Sequence, residues 1–592
     1  MSVSPGRGCR ATVRTRSTLV EPTTTTSQRT DDLLRSVGAH PAGVDICRES
    51  TYVWRSSFKP ESIFTLRRSA LIEKQVRQDG SPSGAADAVP DAGLVLSIDQ
   101  GTTNAKALLV DPRTGRAVAS GAVAVGISFP APGWVEQDPA EIWSATVGAV
   151  TACLAAAAGA VPVAIAVTNQ RESVVAWNRR TGAPLGPVLG WQDARTAAAC
   201  DQLVAAGVAD EVRARTGLSL DPMFSAPKMR LLLDRAVAAG VAAEDVCLGT
   251  VDAWLIWNLT GGAVFATEAG NASRTLLFDL TSLDWHPRLL EVFGIPATAL
   301  PEVRASDAGF GVTAAGVLPA GVPIVAVLAD SHAALYHHGC TEPGAGKATY
   351  GTGSSIMTPC LGPDAAPAGI ATTLAWLTAV PTYAREGNIL ASGSALDWMA
   401  RTLGGDADRS GGAFLTELAA DADDTGGVHL VPAFTGLGAP YWDRAATGVV
   451  TGVTGGTTRS QLARAALEAV AHQVADVVEA IESDGRARID VLHADGGATA
   501  SGLLMQLQAD LIGRPVHVAD ASEASALGVA LLAARTLGLV PTDPIGGTDQ
   551  ASEATAPAIG ATERAARRRA WATAVARSRG RTVPPDGSVA TT

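Results

Sequence analysis

The 592 residues contain no Cys-x-x-Cys pair and no cluster of histidines at metal-ligand spacing. The seven cysteines are scattered at 9, 47, 153, 200, 247, 340 and 360, which excludes a disulfide framework or a zinc module and reads as buried or idle thiols in a reducing cytosol. Excess positive charge is lacking as well. With 46 Lys and Arg against 58 Asp and Glu, the net charge is −12, and no nucleic-acid partner is expected, because phosphate contacts need clustered cations. A membrane span is also missing. The one long stretch nearly free of polar residues, 147–167, is rich in Ala and Gly and broken by Pro162. It reads as the end of a buried helix followed by a strand over 161–167. The familiar nucleotide motifs are absent. Lys347 follows a glycine, but Thr341 stands where a Walker A loop needs its first glycine, and Ala348 follows the lysine. No Gly-x-Gly-x-x-Gly opens a helix after the first strand, which argues against a dinucleotide enzyme.

What is present is an ordinary globular balance, 47% apolar and 18% charged, in a chain too long for one core. Two large domains with appendages are the expectation. Residues 1–92 stand apart: Ser-, Thr- and Arg-rich, with Thr23–Thr26 in a run and a Gly/Ser/Pro/Ala linker over 80–91. Their basic start weakly resembles a transit peptide; a disordered extension or an unused upstream start codon accounts for them equally well. From Gly93 the pattern turns α/β. Strands are predicted over 94–99, 105–111 and 117–125, with the turn at 113–115. Asp138, Pro139 and Glu141 supply a cap, a first-turn proline and a capping-box acid for the helix that follows. The strand over 163–167 runs into polar 168–172. Similar strand-then-glycine units recur at 345–354 and 489–500, suggesting two related α/β domains with a cleft between them. After 540 the chain is Ala-, Thr- and Pro-rich; one Arg-rich stretch, 562–571, reads as helical, and the tail otherwise looks dispensable.

Asp99 to Lys106 (DQGTTNAK) carries the sharpest local chemistry. A carboxylate at a strand end can hold Mg²⁺ through water, and Gly beside two Thr offers N–H groups and hydroxyls to phosphate oxygens. A plain hairpin turn explains the same residues equally well, until two further Gly-rich turns, 351–353 and 496–497, are set beside it. Asp330 ends an apolar run (323–329) just before a helical stretch. By residue chemistry alone it reads as a helix cap.

The ordered motifs Asp99–Thr103, Pro132–Trp143, Thr168–Glu172, Gly249–Trp257, Asn271–Thr275, Tyr350–Gly353, Val431–Asp443 and Gly448–Glu468 resemble those of the FGGY carbohydrate kinases. Within that family they come nearest the glycerol kinases. The likeness covers about 94–537. It implies two ribonuclease-H/actin-like domains of the sugar kinase/Hsp70/actin type, at 93–340 and 341–540, closing over ATP and an alcohol, with a tail at 541–592. It further implies Asp330 as the catalytic base and Asp99 as the Mg²⁺ organiser. Thr102, Thr103, Asn104 and Lys106 would face the phosphates, and Thr352, Gly393, Asp397, Gly497 and Ser501 would line the nucleotide site. Arg171, Glu172, Trp191, Met223, Asp330, Ser331 and Ser355 would surround the substrate. Departures occur at 397 (usually Gln), 501 (usually Asn), 223 (usually Tyr), 355 (usually Phe) and 331 (usually Gln).

An arginine and a glutamate side by side can donate to and accept from a polyol's neighbouring hydroxyls, though a surface ion pair is the bland reading. Loss of two aromatic walls suggests a wider pocket. The reading is therefore an ATP- and Mg²⁺-dependent cytoplasmic kinase of glycerol or a longer polyol or ketose. A strict glycerol kinase and a non-catalytic actin/Hsp70-like ATP sensor are the alternatives. Expected partners are the small substrate and a homodimer or homotetramer, with neither nucleic acid nor membrane.

Overall fold

Two apolar runs and an alternating third, separated by two short turns, make the first three strands fold on one another. In the computed structural model, which describes residues 93–316, 318–406, 409–519, 523–541 and 554–580, these are β1 (Val95–Gln100), β2 (Asn104–Asp111) and β3 (Arg116–Ala124). They form an antiparallel meander that sets Asp99 opposite Lys106. Helix α1 (Pro139–Ala156) returns across it. Asp138 caps this helix by accepting from the Ala140 N–H, whereas Glu141 closes no capping box and instead accepts from the Gly126 N–H at 2.9 Å. The close approach of α1 needs Gly121: a Cβ there would lie 2.2 Å from the Ala149 carbonyl oxygen.

Strand β4 (Ala164–Asn169), buried along its whole length, pairs parallel to β1, and β5 (Ile324–Ala329) pairs parallel to β4. The sheet order is β5-β4-β1-β2-β3. Helix α2 (Asp330–His337) leaves the end of β5 directly. A second sheet of four short strands, including Val174–Asn178 and Val246–Thr250, completes this lobe.

The second lobe repeats the plan. Strands β6 (Gly344–Tyr350), β7 (Ser354–Cys360), β8 (Ala371–Leu377) and β9 (Pro381–Ile389) are followed by helices α3 (Gly393–Thr402), α4 (Gly411–Ala419) and α5 (Arg459–Glu482). Then come β10 (Ile489–Asp495), α6 (Gly502–Ile512), β11 (Val516–Val518) and α7 (Ala524–Thr536). The sheet order β8-β9-β7-β6-β10-β11 matches the first lobe with β8 added at the edge. Three antiparallel strands followed by two parallel ones, twice over, is the ribonuclease-H/actin-like duplication.

Two elements tie distant sequence together. Helix α7 packs on the first lobe: the Ser97 hydroxyl donates to the Ala526 carbonyl at 2.7 Å, and Gly528 meets α2 so closely that a Cβ would fall 1.9 Å from the Ala333 oxygen. The helix expected over 562–571 is present and longer. Helix α8 (Ala561–Ser578) is a docked part of the second lobe, with Trp571 1% exposed and its indole N–H donating to Asp476 at 2.8 Å. A large aromatic among Ala and Arg is the feature that holds it there.

Cysteines 153, 200, 247 and 340 are buried free thiols and Cys360 is half-buried; Cys9 and Cys47, with the whole N-terminal extension and linker, lie outside the described residues. No described helix is long and apolar enough to cross a membrane.

Candidate active site

Strands β5, β4 and β1 are parallel neighbours, so their C-terminal ends emerge on one edge of the sheet, where α/β proteins place their ligands. Those ends carry Asp330, the Arg171–Glu172 pair and Asp99. The Arg171 Nε lies 3.4 Å from the Asp330 Oδ1. Asp330 is the first residue of α2 rather than its cap, and its Oδ1 accepts from the Ser331 N–H at 2.6 Å. Its side chain is 36% exposed while that of Arg171 is 6% exposed. Burial raises the proton affinity of the Asp330 carboxyl; Arg171 opposes that rise and Glu172 adds to it.

Glu172 adopts φ +60, a left-handed conformation that costs a non-glycine residue roughly 1–2 kcal/mol. Surrounding contacts hold it there: the Ser225 hydroxyl donates to its carbonyl at 3.1 Å, and the Arg274 Nε to its Oε1 at 2.7 Å. Trp191 is fixed from two sides, its backbone N–H on the Ser173 hydroxyl (3.1 Å) and its indole N–H on the Thr102 hydroxyl (3.2 Å). That contact joins the predicted substrate wall to the predicted phosphate turn. Lys228, fully buried, donates to the carbonyls of Gly190 (3.1 Å) and Met223 (2.6 Å), and burial pushes its ammonium down to about 8. Trp191, Met223 and Thr352 all line one cleft of about 940 Å³ between the lobes.

At the phosphate turn, the Gly101 N–H donates to the Asn104 carbonyl and the Asn104 amide to the Thr103 hydroxyl. Lys106 is ion-paired with Glu523 at 2.8 Å. Burial pushes the Asp99 carboxyl up to about 7; Lys106 pulls against this, while Asp330 and Glu523 reinforce it. Several carboxylates crowding one ammonium suit a hard divalent cation. Among the described residues no group of three or more ligating side chains could hold a metal by itself; Mg²⁺ keeps its waters and uses one or two carboxylates together with substrate phosphates.

The second lobe supplies two glycine turns. The Gly393 N–H donates to the Gly351 carbonyl at 2.9 Å, and a Cβ on Gly393 would sit 2.6 Å from that oxygen. Thr352, exposed, accepts through its carbonyl from Ser392 and Ser394. Gly496, at φ +95, leaves no room for a Cβ against the Tyr350 backbone, and Gly497 beside it is exposed. Asp397 and Ser501 are joined through α4, which the sequence reading did not single out: the Asp397 Oδ1 accepts from the Gly411 N–H (3.1 Å), and the Ser501 and Thr416 hydroxyls are 2.6 Å apart.

Three charged residues without an assigned role prove central. Glu386 is fully buried, accepts from the Arg171 Nη2 (2.6 Å) and the Ser355 hydroxyl (3.0 Å), and is ion-paired with the Arg274 Nη2 at 2.9 Å. Burial works against its charge, but Arg171 and Arg274 hold its carboxyl well below the usual range. Lys347 contacts the Thr349 and Ser355 hydroxyls at 3.0 and 3.4 Å. Ser355 is thus turned into this network; like Asp99, Arg171, Glu172 and Asp330, it does not line the cleft that Trp191, Met223 and Thr352 share. Arg274 lay in a recognised motif, whereas nothing in the sequence marked Glu386 in mid-strand.

A partly exposed carboxylate beside a cation, a glycine turn in each lobe and a cleft between them are the parts that a two-lobed phosphotransferase uses. The chain belongs to the FGGY family of carbohydrate kinases. The family's N-terminal domain matches residues 94–336 and its C-terminal domain residues 346–537. The chain is 46% identical over 451 residues to the apulose kinase of Pectobacterium atrosepticum, covering 75% of this chain and 90% of that one. It is 44% identical over 459 residues to the glycerol kinase of Citrifermentans bemidjiense, covering 76% and 92%. A crystal structure of Plasmodium falciparum glycerol kinase with ADP superposes with a TM-score of 0.74 at 28% identity, covering 82% of this chain and 98% of that one. The protein is therefore an enzyme, a kinase acting on an alcohol group of a small carbohydrate or polyol with ATP as donor.

Proposed function

We propose that this enzyme transfers the γ-phosphoryl group of Mg²⁺-ATP to a hydroxyl of a polyol or ketose longer than glycerol, with Asp330 as general base. The observation that carries the proposal is the half-open Asp330 carboxylate with Arg171 3.4 Å away. Phosphoryl transfer asks the protein chiefly for positioning and charge neutralisation. Arg171 donates to the substrate's hydroxyls, Glu172 accepts, Trp191 packs against the carbon chain, and Asp330 takes the proton of the attacking oxygen. Thr102, Thr103, Asn104 and Lys106 meet the phosphates from one lobe. Thr352, Gly393, Asp397, Gly497 and Ser501 hold the nucleotide from the other. Asp99 would hold Mg²⁺ through water, and the ion would supply the neutralising charge.

A longer substrate is supported by Met223, an unbranched thioether, in the cleft wall where the resemblance to glycerol kinases implies a tyrosine, and by the likeness to an apulose kinase. A strict glycerol kinase is the second reading, favoured by the intact Arg171, Glu172 and Trp191. On either reading the proposed setting is the cytoplasm, where ATP is available, and the proposed assembly a homodimer or homotetramer.

Coupled ADP release across glycerol, erythritol, ribitol, xylitol, ribulose and xylulose separates the two readings: a strict preference for glycerol in kcat/KM overturns the longer substrate. Asp330→Asn is expected to lower polyol-dependent release by about 10²–10⁴-fold with nucleotide binding retained. Near-full activity in that variant would remove Asp330 as the base.

A further inference from the structure

We infer that Glu386 is the second lobe's part of the polyol clamp, a positioning residue that fixes the Arg171 guanidinium relative to Asp330. The inference rests on the function proposed above and extends it to a residue that touches neither substrate nor nucleotide there.

Arg171 is drawn toward three carboxylates: Glu386 at 2.6 Å, Asp330 at 3.4 Å and Glu172 at 4.0 Å. A guanidinium is a rigid planar fork, so fixing one nitrogen and the plane fixes the rest. Glu386 takes Nη2. That leaves Nε directed at Asp330, and Nη1 buried with no hydrogen-bond partner among the described residues. A buried donor without an acceptor is costly, and a substrate hydroxyl accepting from Nη1 would remove the cost. Were Glu386 uncharged, its pull on Arg171 would go and Asp330 would become the nearest partner. The base would then be tied up by the cation meant for the substrate.

Glu386 is itself over-determined. It receives Arg274 and Ser355 besides Arg171, and its strand β9 lies between β7 and β8, paired at Met357 and Ala371. The same strand leads into α3, whose first residue, Gly393, grips the Gly351 turn. One rigid piece of the second lobe therefore carries both the anchor of the polyol clamp and a nucleotide turn. Sites held by such supporting contacts keep reacting atoms within fractions of an ångström.

The test is steady-state kinetics of the full chain with the best polyol or ketose from the ADP screen. Glu386→Gln is expected to lower kcat/KM for that substrate by about 10²-fold, the order expected for an ångström of misplacement, while KM for ATP stays at the wild-type value. Glu386→Asp keeps the charge both arginines need but draws it back by one methylene; the same split, about tenfold, is expected. This second variant carries the test where the first does not fold. Wild-type kcat/KM for the polyol in either folded variant overturns the inference. So does a parallel rise in both KM values together with a lowered Tm, which marks a merely structural residue. A wild-type enzyme that phosphorylates no polyol or ketose overturns the proposed function and this inference with it, whereas turnover by wild type with an indifferent Glu386→Gln overturns this inference alone.

Discussion

His338 Nε2 lies 2.6 Å from the Asp495 Oδ2, and both side chains are nearly buried. His338 closes the C-terminus of α2, the helix that begins with Asp330. Asp495 ends β10 immediately before the Gly496–Gly497 turn. One hydrogen bond thus ties the helix of Asp330 to a glycine turn of the other lobe. Burial opposes the Asp495 charge, but the hydrogen bond and charge of His338, with Lys347 behind them, hold its carboxyl below the ordinary value. A depressed carboxyl stabilises the fold above the unfolded pKa of about 4 and loses that contribution as pH falls through the folded one. Asp495→Asn is expected to lower stability by about 1–3 kcal/mol at pH 7, with the gap narrowing toward pH 3. Urea unfolding at the two pH values checks it.

Asp99 has the opposite sign. Its carboxyl is pushed up to about 7 by burial and by its acidic neighbours. Its contribution to stability is fullest below pH 3.8 and is lost as pH rises through about 7. In the absence of Mg²⁺ and nucleotide, Asp99→Asn is expected to stabilise the enzyme at pH 8 by about 1–3 kcal/mol, the advantage vanishing toward pH 4. Lys106 keeps Glu523 as its partner in this variant. The same change is expected to cost Mg²⁺-ATP turnover severely. Thermal unfolding across pH, beside turnover at pH 8, checks both halves.

Lys228 joins two walls of the cleft through the carbonyls of Gly190, next to Trp191, and Met223. In Lys228→Met both carbonyls lose their donor, at about 1–3 kcal/mol each, and the walls shift. The polyol KM is expected to rise roughly tenfold, with KM for ATP unchanged. Since the folded ammonium sits at about 8 and an unfolded one near 10.4, the wild type gains stability between those pH values as the buried charge is released. The methionine variant lacks that gain.

Trp571 fixes α8 to the second lobe, stacked on His472 at 4.9 Å between ring centroids. Trp571→Ala is expected to destabilise the fold by about 3–5 kcal/mol with little change in KM for either substrate. A lower denaturation midpoint at unchanged KM is the result to look for; an unchanged midpoint would make the tail dispensable after all.

Much of the site is legible in the chain because strand ends announce themselves. Apolar runs closing on Asp99, on Arg171–Glu172 and on Asp330 are local patterns, and glycines at 351, 353, 393, 496 and 497 mark turns that admit no Cβ or leave backbone open. The repeated strand–turn–strand unit likewise shows the duplication before any coordinates do. The tail's helix was legible but its docking was not, because one Trp among alanines is a weak signal until its partner Asp476, 95 positions away in sequence, is brought beside it.

The α/β order and the family were already readable in the chain, since these rest on short-range periodicity and on motifs read in order. Only the tertiary structure decided which charges meet. Arg171, Arg274, Ser355 and Glu386 come from different strands and loops of two lobes, and Ser355, which alone reads as a missing pocket wall, spends its hydroxyl on Glu386. The physical reason is that a buried ion pair depends on burial and on ångström-scale geometry, and neither is written in the spacing of residues 215 positions apart.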